Sequence, residues 1–187
     1  MISFHPTPHL LAVLAFLALS NASPAAGFAP AQSVLKEDGA SFVRVGQTTF
    51  RWKTILKVYD IALHLGAGQE SPKALADAPM RLELVYHRAF TAAEIVRGGD
   101  RLLRRNVDSA TFDKLAPRLT ELNRYYSSVK PGDVYTLTYV PGRGTTLRLN
   151  GNTLTTIPGY DFAESYFRIW LGDNPISGKL REELLGR

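Results

Sequence analysis

The stretch 133–172 constrains the fold more than any other part of the chain. Its first segment alternates with a period of two, which is typical of a half-buried β-strand, and one face carries Tyr135, Leu137 and Tyr139. A Pro-Gly turn and then Asn150-Gly151 separate this segment from two more. Asn-Gly strongly favours a two-residue hairpin loop, because both residues accept a positive φ. The stretch therefore predicts three antiparallel strands.

A helix is expected directly after these strands. Over 160–171, large apolar residues recur at the spacing of one helix face, namely Phe162, Tyr166, Ile169 and Trp170. Gly172 is expected to end this helix. In the preceding hairpin, a two-residue loop predicts that Leu147 faces Leu154.

The remaining segments predict an α+β fold with helices on one face of a mostly antiparallel sheet. Short strands are expected at 42–45 and 49–52, around Gly46, and longer ones at 54–65 and 81–88. Helices are expected over 71–78, 91–106, from Asp108 or Thr111 to 129 with a bend or restart at Pro117, and 177–185. The chain has 187 residues, 45% of them hydrophobic, and no linker, so residues 26–187 are expected to form one domain.

The segment 1–25 is expected to be a secretory signal peptide. The first 22 residues carry no Lys, Arg, Asp or Glu, and 10–19 is an apolar run, shorter than the roughly 20 residues that span a bilayer. Small residues over 20–25 suit a cleavage site. The alternative is an uncleaved anchor, since no Lys or Arg precedes the apolar run. The prediction is a periplasmic or secreted protein.

Composition narrows the chemistry. The chain has no cysteine, which excludes disulfides, thiolate catalysis and zinc-thiolate sites. The net charge of +5 suits acidic ligands but is modest for a nucleic-acid-binding protein, so no nucleic-acid partner is expected. The candidates for a metal site, Asp60, His64 and His87, do not make a convincing ligand set. No cofactor or metal is expected, and the protein is expected to be a monomer.

Arg51 and Tyr59 are candidates for binding an anion. They lie eight residues apart, which is about 27 Å on a straight strand, so they converge only if the chain bends near Lys53. A converging arginine and phenol could hold a carboxylate. Otherwise Arg51 is a surface charge and Tyr59 a core residue.

Four arginines share one face of the helix expected over 91–106. One interpretation is a solvated face, and the other is contact with an anionic membrane surface. The four are Arg97, Arg101, Arg104 and Arg105.

Several motifs, in this order, resemble the chalcone isomerase-like family, especially its bacterial exported branch, over roughly residues 40–186. They are the Lys-Val-Tyr strand 57–65, 130–133, 139–145, Asn150-Gly151, 157–163, 169–175 and 184–186. The resemblance implies an open-faced β-sandwich: a large antiparallel sheet with helices packed on one face and a ligand cleft between them. The family contains isomerases that close a chalcone to a flavanone, and non-catalytic fatty-acid-binding members.

The resemblance also implies site residues. In the fatty-acid-binding members, an arginine and the tyrosine of the Lys-Val-Tyr strand hold the carboxylate, and Arg51 and Tyr59 match them, with Lys57 beside them. The acyl chain would lie against Leu63, Tyr139, Phe162, Tyr166 and Trp170. In the isomerases a Tyr and an Asn position the substrate, and the corresponding residues here are the apolar Ile95 and Leu102.

The expected function is an exported, non-catalytic binding protein for a fatty acid or similar amphiphilic carboxylate. Two alternatives remain open at this point. One is an intramolecular lyase of the chalcone-flavanone isomerase type. The other is a cell-envelope protein that binds a partner and keeps only a vestigial cleft.

Overall fold

The computed structural model describes Phe28, residues 33–53 and residues 55–187. The signal peptide predicted for residues 1–25 lies outside the described residues. Within the described part the strands are β1 (Leu35–Glu37), β2 (Ala40–Trp52), β3 (Leu56–Gly66), β4 (Met80–Tyr86), β5 (Val134–Val140), β6 (Gly144–Leu149) and β7 (Asn152–Ile157). The helices are α1 (Ala92–Arg104), α2 (Ser109–Arg124), α3 (Tyr160–Leu171) and α4 (Gly178–Leu184).

The strands form one antiparallel sheet whose spatial order, β1 to β7, is also the order along the chain. The helices α1 and α2 are inserted between β4 and β5, and α3 and α4 follow β7. The α+β class and the predicted open-faced sandwich are confirmed, in the form of a curled sheet with the helices on one face. We call the face that packs against the helices the inner face and the opposite one the outer face. No helix in the described residues has the length and apolar character needed to cross a membrane.

Alternation along each strand separates the two faces of the sheet. On β3, Tyr59, Ile61 and Leu63 belong to the main apolar core between sheet and helices. The helix α3 supplies the opposite side of that core with Phe162, Tyr166, Ile169 and Trp170, as its spacing predicted. The core is therefore one continuous layer between the inner face of the sheet and α3.

Helix starts agree with the sequence signals. Thr91 and Glu94 form the predicted capping box at the start of α1. Of the two candidates for the next cap, Asp108 is the one used, and it accepts a hydrogen bond of 2.7 Å from the Thr111 amide. Pro117 lies inside a continuous α2, so the predicted restart there is wrong. The helix expected over 71–78 is reduced to a single 3₁₀ turn at Ser71–Lys73.

Bulges account for the strand errors. The two strands expected around Gly46 are one strand, β2, because Val45 is an extra residue between the pairs Arg44–His64 and Gly46–Leu63. The Asn150-Gly151 loop forms with both φ angles positive, 51° and 81°.

The register beyond that loop differs from the prediction. Leu147 pairs with Thr155 rather than facing Leu154, because Leu154 is the extra residue of a further bulge. The expected Leu147–Leu154 pair is therefore wrong.

The outer face of the sheet carries a nearly buried ion-pair network. Arg148 of β6 donates to Glu37 of β1 at 2.7 Å and to Asp38 at 2.8 Å, and Arg81 of β4 also pairs with Glu37. Four strands separate β1 from β6 in the sheet, which in a flat sheet would place them about 24 Å apart. The contacts therefore require a sheet that curls strongly toward this face.

A substitution at Gly46 tests the packing of α4 on β2. A Cβ at this position would lie 2.3 Å from the carbonyl oxygen of Glu183 and 2.4 Å from that of Leu184. We expect Gly46→Ala to lower the free energy of unfolding by about 1–3 kcal/mol, because helix backbone must move away. Urea unfolding measures the change. Gly178→Ala is the control, since its Cβ meets nothing within 4 Å, and an equal loss in both variants would contradict the packing argument.

Candidate functional site: a cavity between sheet and helices

A cavity of about 680 Å³ lies between the inner face of the sheet and the helices α1 and α3. This volume falls within the range of about 300–1,000 Å³ that is usual for small-molecule sites. Strands β2 to β5 form its floor, and α1 packs against α2 and α3 on the other side of the space. Exposed residues of β2, β3 and α1 mark where it opens to solvent.

Buried aromatic side chains form the cavity floor. Tyr59, Tyr86 and Tyr135 stand on three successive strands, with ring centroids 5.7 Å apart in the first pair and 6.2 Å in the second. Trp170 and Tyr166 of α3 face them, and apolar side chains fill the spaces between: Leu84, Leu137 and Ile169. A long apolar group would therefore meet hydrocarbon and ring surfaces along most of its length.

The phenol groups are largely engaged with one another and with the protein. The indole Nε1 of Trp170 donates to the Tyr59 hydroxyl at 3.2 Å, and the Tyr126 and Tyr166 hydroxyls lie 2.9 Å apart. The Tyr135 hydroxyl accepts from the Ser127 amide at 2.8 Å and donates to the Ser127 carbonyl. The hydroxyls of Tyr59, Tyr126, Tyr135 and Tyr166 therefore already have hydrogen-bond partners, as buried polar groups require.

Burial raises the pKa of every tyrosine in this cluster. Desolvation is the main cause, because the phenolate would lose its hydration inside an apolar layer. The hydrogen bond from Trp170 opposes the rise in the pKa of Tyr59 but does not cancel it. The phenols are therefore neutral at physiological pH and act as hydrogen-bonding groups rather than as bases.

The rim of the cavity is cationic. Three exposed arginines line it, one after β4 and two at the carboxyl end of α1, and we call Arg88, Arg101 and Arg105 the rim arginines. None of them forms an ion pair with a carboxylate of the described residues. Within that part of the chain, Glu94 is the one acidic residue on the lining. It accepts hydrogen bonds of 2.8 Å from the Thr91 amide and hydroxyl, which lower its pKa.

Two consecutive glycines make room under α1. Gly98 and Gly99 both line the cavity. A Cβ on Gly98 would meet nothing within 4 Å, and one on Gly99 would lie 3.4 Å from the Tyr166 hydroxyl. Glycine inside a helix lowers helix stability by roughly 1 kcal/mol relative to alanine. The pair lies where the absence of side chains leaves space in the cavity. The cavity owes part of its width to these positions.

Three of the six predicted ligand-binding residues line the cavity: Tyr59, Tyr166 and Trp170. The other three, Arg51, Lys57 and Tyr139, do not. Arg51 faces away because it alternates with the cavity residues Phe50 and Trp52 on β2. Lys57 faces away because of a bulge in β3, where the pair Phe50–Tyr59 is followed by Arg51–Lys57 and Val58 is the extra residue.

That bulge decides which side chains face the cavity. Val58 and Tyr59 both line it, and so do Phe50 and Trp52. Arg51 lies between the latter two on β2, exposed and paired with the equally exposed Lys57. The chain does turn near Lys53, as convergence required, but the structure does not bring Arg51 and Tyr59 onto one face.

Tyr139 lies outside the cavity for a different reason. Its hydroxyl donates to Asp77 at 2.5 Å and its ring packs against Tyr160, at a centroid distance of 6.0 Å. Leu63 and Phe162, which the resemblance placed along the acyl chain, are fully buried core residues and not cavity walls. The expected lining was therefore too broad, because it followed the whole inner face of the sheet.

The predicted arginine face of α1 divides into three environments. Arg101 and Arg105 belong to the rim, and Arg97 is exposed away from it. Arg104 turns toward α2, where its guanidinium lies 3.5 Å from the centroid of the Phe112 ring. The helix therefore does not present four equivalent charges to solvent.

Sequence reasoning missed Arg88 altogether, and it missed Tyr86, Tyr126 and Tyr135 as cavity residues. The glycine pair within an otherwise favourable helix was an available signal, because it marks a helix face that needs space. The two apolar positions expected to replace the polar residues of the isomerases, Ile95 and Leu102, do line the cavity. No group of three possible metal ligands occurs among the described residues.

Comparison with known proteins defines the class. The family model described as chalcone isomerase-like matches residues 26–186, and the chain belongs to this family. No curated protein matches its sequence. Among solved structures it is similar to a fatty-acid binding protein of Arabidopsis thaliana, with a TM-score of 0.64 and 16% identity over 87% of this chain and 94% of that one. At this identity the likeness establishes the shared fold.

Filling the space beneath α1 tests whether the cavity is accessible. We expect Gly98→Leu to keep or raise the melting temperature, because leucine is the better helix former, and to weaken uptake of the fluorescent anion anilinonaphthalene sulfonate. Fluorescence titration and a thermal scan measure the two effects. Gly178→Leu, on α4, is the matched control. Unchanged dye binding in Gly98→Leu would show that the dye does not use this cavity.

Proposed function

We propose that the protein binds a single-chain amphiphilic anion, with a fatty acid as the simplest case. The observation that carries this proposal is the combination of a deep aromatic cavity with three rim arginines that have no carboxylate partner in the described residues. An acyl chain would occupy the cavity, and its carboxylate would stay at the rim. A long hydrocarbon tail with one anionic head matches both ends of the site.

The energetics of such a ligand favour this arrangement. Each methylene transferred from water to the cavity contributes about 0.8 kcal/mol, so a long chain supplies most of the affinity without catalytic groups. A guanidinium donates two parallel hydrogen bonds to a carboxylate, which would fix the direction in which the ligand enters. The similar Arabidopsis protein is itself a fatty-acid binding protein, which supports the same proposal.

The two alternative functions have less support. A vestigial cleft would be filled by side chains, whereas about 680 Å³ is open here. An isomerase would need a polar network near the substrate, and Ile95 and Leu102 supply apolar surface at the positions in question. Turnover of a chalcone well above its spontaneous rate would favour the isomerase.

Charge removal at the rim tests the proposed head-group site. We expect Arg101→Gln to weaken the binding of palmitate in solution by about tenfold, since one charged hydrogen-bonding partner is lost. Combining it with Arg88→Gln should weaken binding further. Calorimetry measures the affinity, and circular dichroism checks that the variants fold. Arg97→Gln is the matched control, because it lies on the same helix but off the cavity lining.

The same experiment with Arg51→Gln separates the two candidate head-group sites. The structure places Arg51 outside the cavity, so we expect wild-type affinity from this variant. Loss of binding in Arg51→Gln with wild-type affinity in the rim variants would move the carboxylate to the β2–β3 hairpin. Unchanged affinity in all of these variants would show that the proposed ligand class is wrong. Extraction of the co-purifying molecule and mass spectrometry would then identify the class.

Export is part of the proposal, as a periplasmic or secreted location. We expect the full chain to lose residues up to about position 25 and to appear outside the cytoplasm. Cell fractionation with intact-mass measurement checks this, and Leu14→Arg, which interrupts the apolar run, should block it. Full-length protein in the membrane fraction would instead indicate the uncleaved anchor.

A further inference from the structure

The tip of the β2–β3 hairpin exposes an unusual amount of apolar surface. Five large apolar side chains are exposed among the described residues, and three of them lie here. Trp52 is 54% exposed, Ile55 84% and Leu56 38%. Burying such side chains is favourable, so their exposure together at one hairpin indicates an interaction surface.

The same tip is cationic. Arg51, Lys53 and Lys57 alternate with the apolar residues, and all three are exposed. The segment from Arg51 to Lys57 contains no acidic residue. We call Arg51, Trp52, Lys53, Ile55, Leu56 and Lys57 the hairpin tip.

The hairpin tip is continuous with the rim of the cavity. Trp52 and Leu56 belong to both, since they line the cavity together with the rim arginines. The three rim arginines line the opening with Trp52 and Leu56, and the three cations of the tip lie next to these two residues in the sequence. Glu94 is the one carboxylate on the lining in the described part of the chain. The tip and the adjoining rim therefore combine exposed apolar side chains with six cationic ones.

We propose that the hairpin tip docks on a lipid bilayer that contains anionic phospholipids, so that the cavity opens toward the membrane. Tryptophan favours the headgroup layer, and isoleucine can enter the acyl region beneath it. Lysine and arginine can lay their alkyl stems along that layer while their charges reach the phosphates. Closely alternating cations suit a bilayer better than a protein partner, because protein interfaces exclude lysine from their centres.

Docking at this place would give the ligand a direct route. An acyl chain leaving the bilayer would pass over the paired Trp52 and Leu56 into the cavity without crossing bulk water. This part rests on the proposed function, whereas binding to the bilayer does not. The two can therefore fail separately.

Flotation with phospholipid vesicles tests the docking. We expect the wild-type protein, after removal of residues 1–25, to float with vesicles of phosphatidylcholine mixed with phosphatidylglycerol. Binding should fall as salt is raised, because the charges are screened. Brominated lipids should quench Trp52. Ile55→Asp should reduce partitioning by about tenfold or more, because an apolar anchor becomes an anion facing phosphates.

Matched variants make the result specific. Val34 is also exposed, at 56%, and precedes β1 near the opposite end of β2, so Val34→Asp should bind vesicles like the wild type. Ile55 does not line the cavity, so Ile55→Asp should retain solution binding of palmitate if the proposed function holds. If neither the wild type nor Ile55→Asp binds palmitate in solution, the proposed function is contradicted and the docking proposal still stands.

Three results would overturn the docking proposal. Equal flotation with pure phosphatidylcholine would remove the role of the cations. Equal loss of vesicle binding in Val34→Asp and Ile55→Asp would show that an added negative charge anywhere on the surface has this effect. Absence of flotation, together with a crosslink from position 55 to a protein, would assign the hairpin tip to a protein partner instead.

Discussion

The curl of the sheet depends on ion pairs that the first hairpin makes across its outer face. Glu37 and Asp38 reach Arg81 and Arg148, which lie on strands far from β1 in the sheet order. The side chains are only 8–19% exposed, so removing one partner would leave a charge with little access to water. These contacts close the sheet toward the face opposite the helices, so the helices and the cavity lie on the other side of the curl.

Most of the fold could be predicted because local signals and tertiary structure agree. The period of two in β5, the Asn-Gly loop and the spacing of α3 each matched the observed element. The first hairpin was missed although Asp38-Gly39 is a favourable turn, with φ angles of 52° and 82°. Its strand β1 has three residues and derives its position from the ion pairs, which no local pattern reveals.

The site was harder to predict because bulges change which face a residue occupies. Lys57 and Tyr59 would share a face in an unbroken strand, yet one extra residue, Val58, turns Lys57 outward, where it pairs with Arg51. Sequence alternation assumes an unbroken pleat, so it cannot detect such an insertion. The rim arginines come from α1 and from the segment after β4, which the tertiary fold alone brings to the same opening.

The order of the strands also bears on how the cavity comes to exist during folding. Strands β1 to β4 and strands β5 to β7 are two meanders built from neighbours in sequence, and the β4–β5 pairing across the inserted helices is the long-range step in the described sheet. Both meanders can form before the last segment of the chain is in place. Tyr166, Ile169, Trp170 and Ile176 all lie in that last segment. The inner face is therefore a bare apolar surface until α3 docks, and a chain cut short before α3 would expose the floor of the cavity as an aggregation surface.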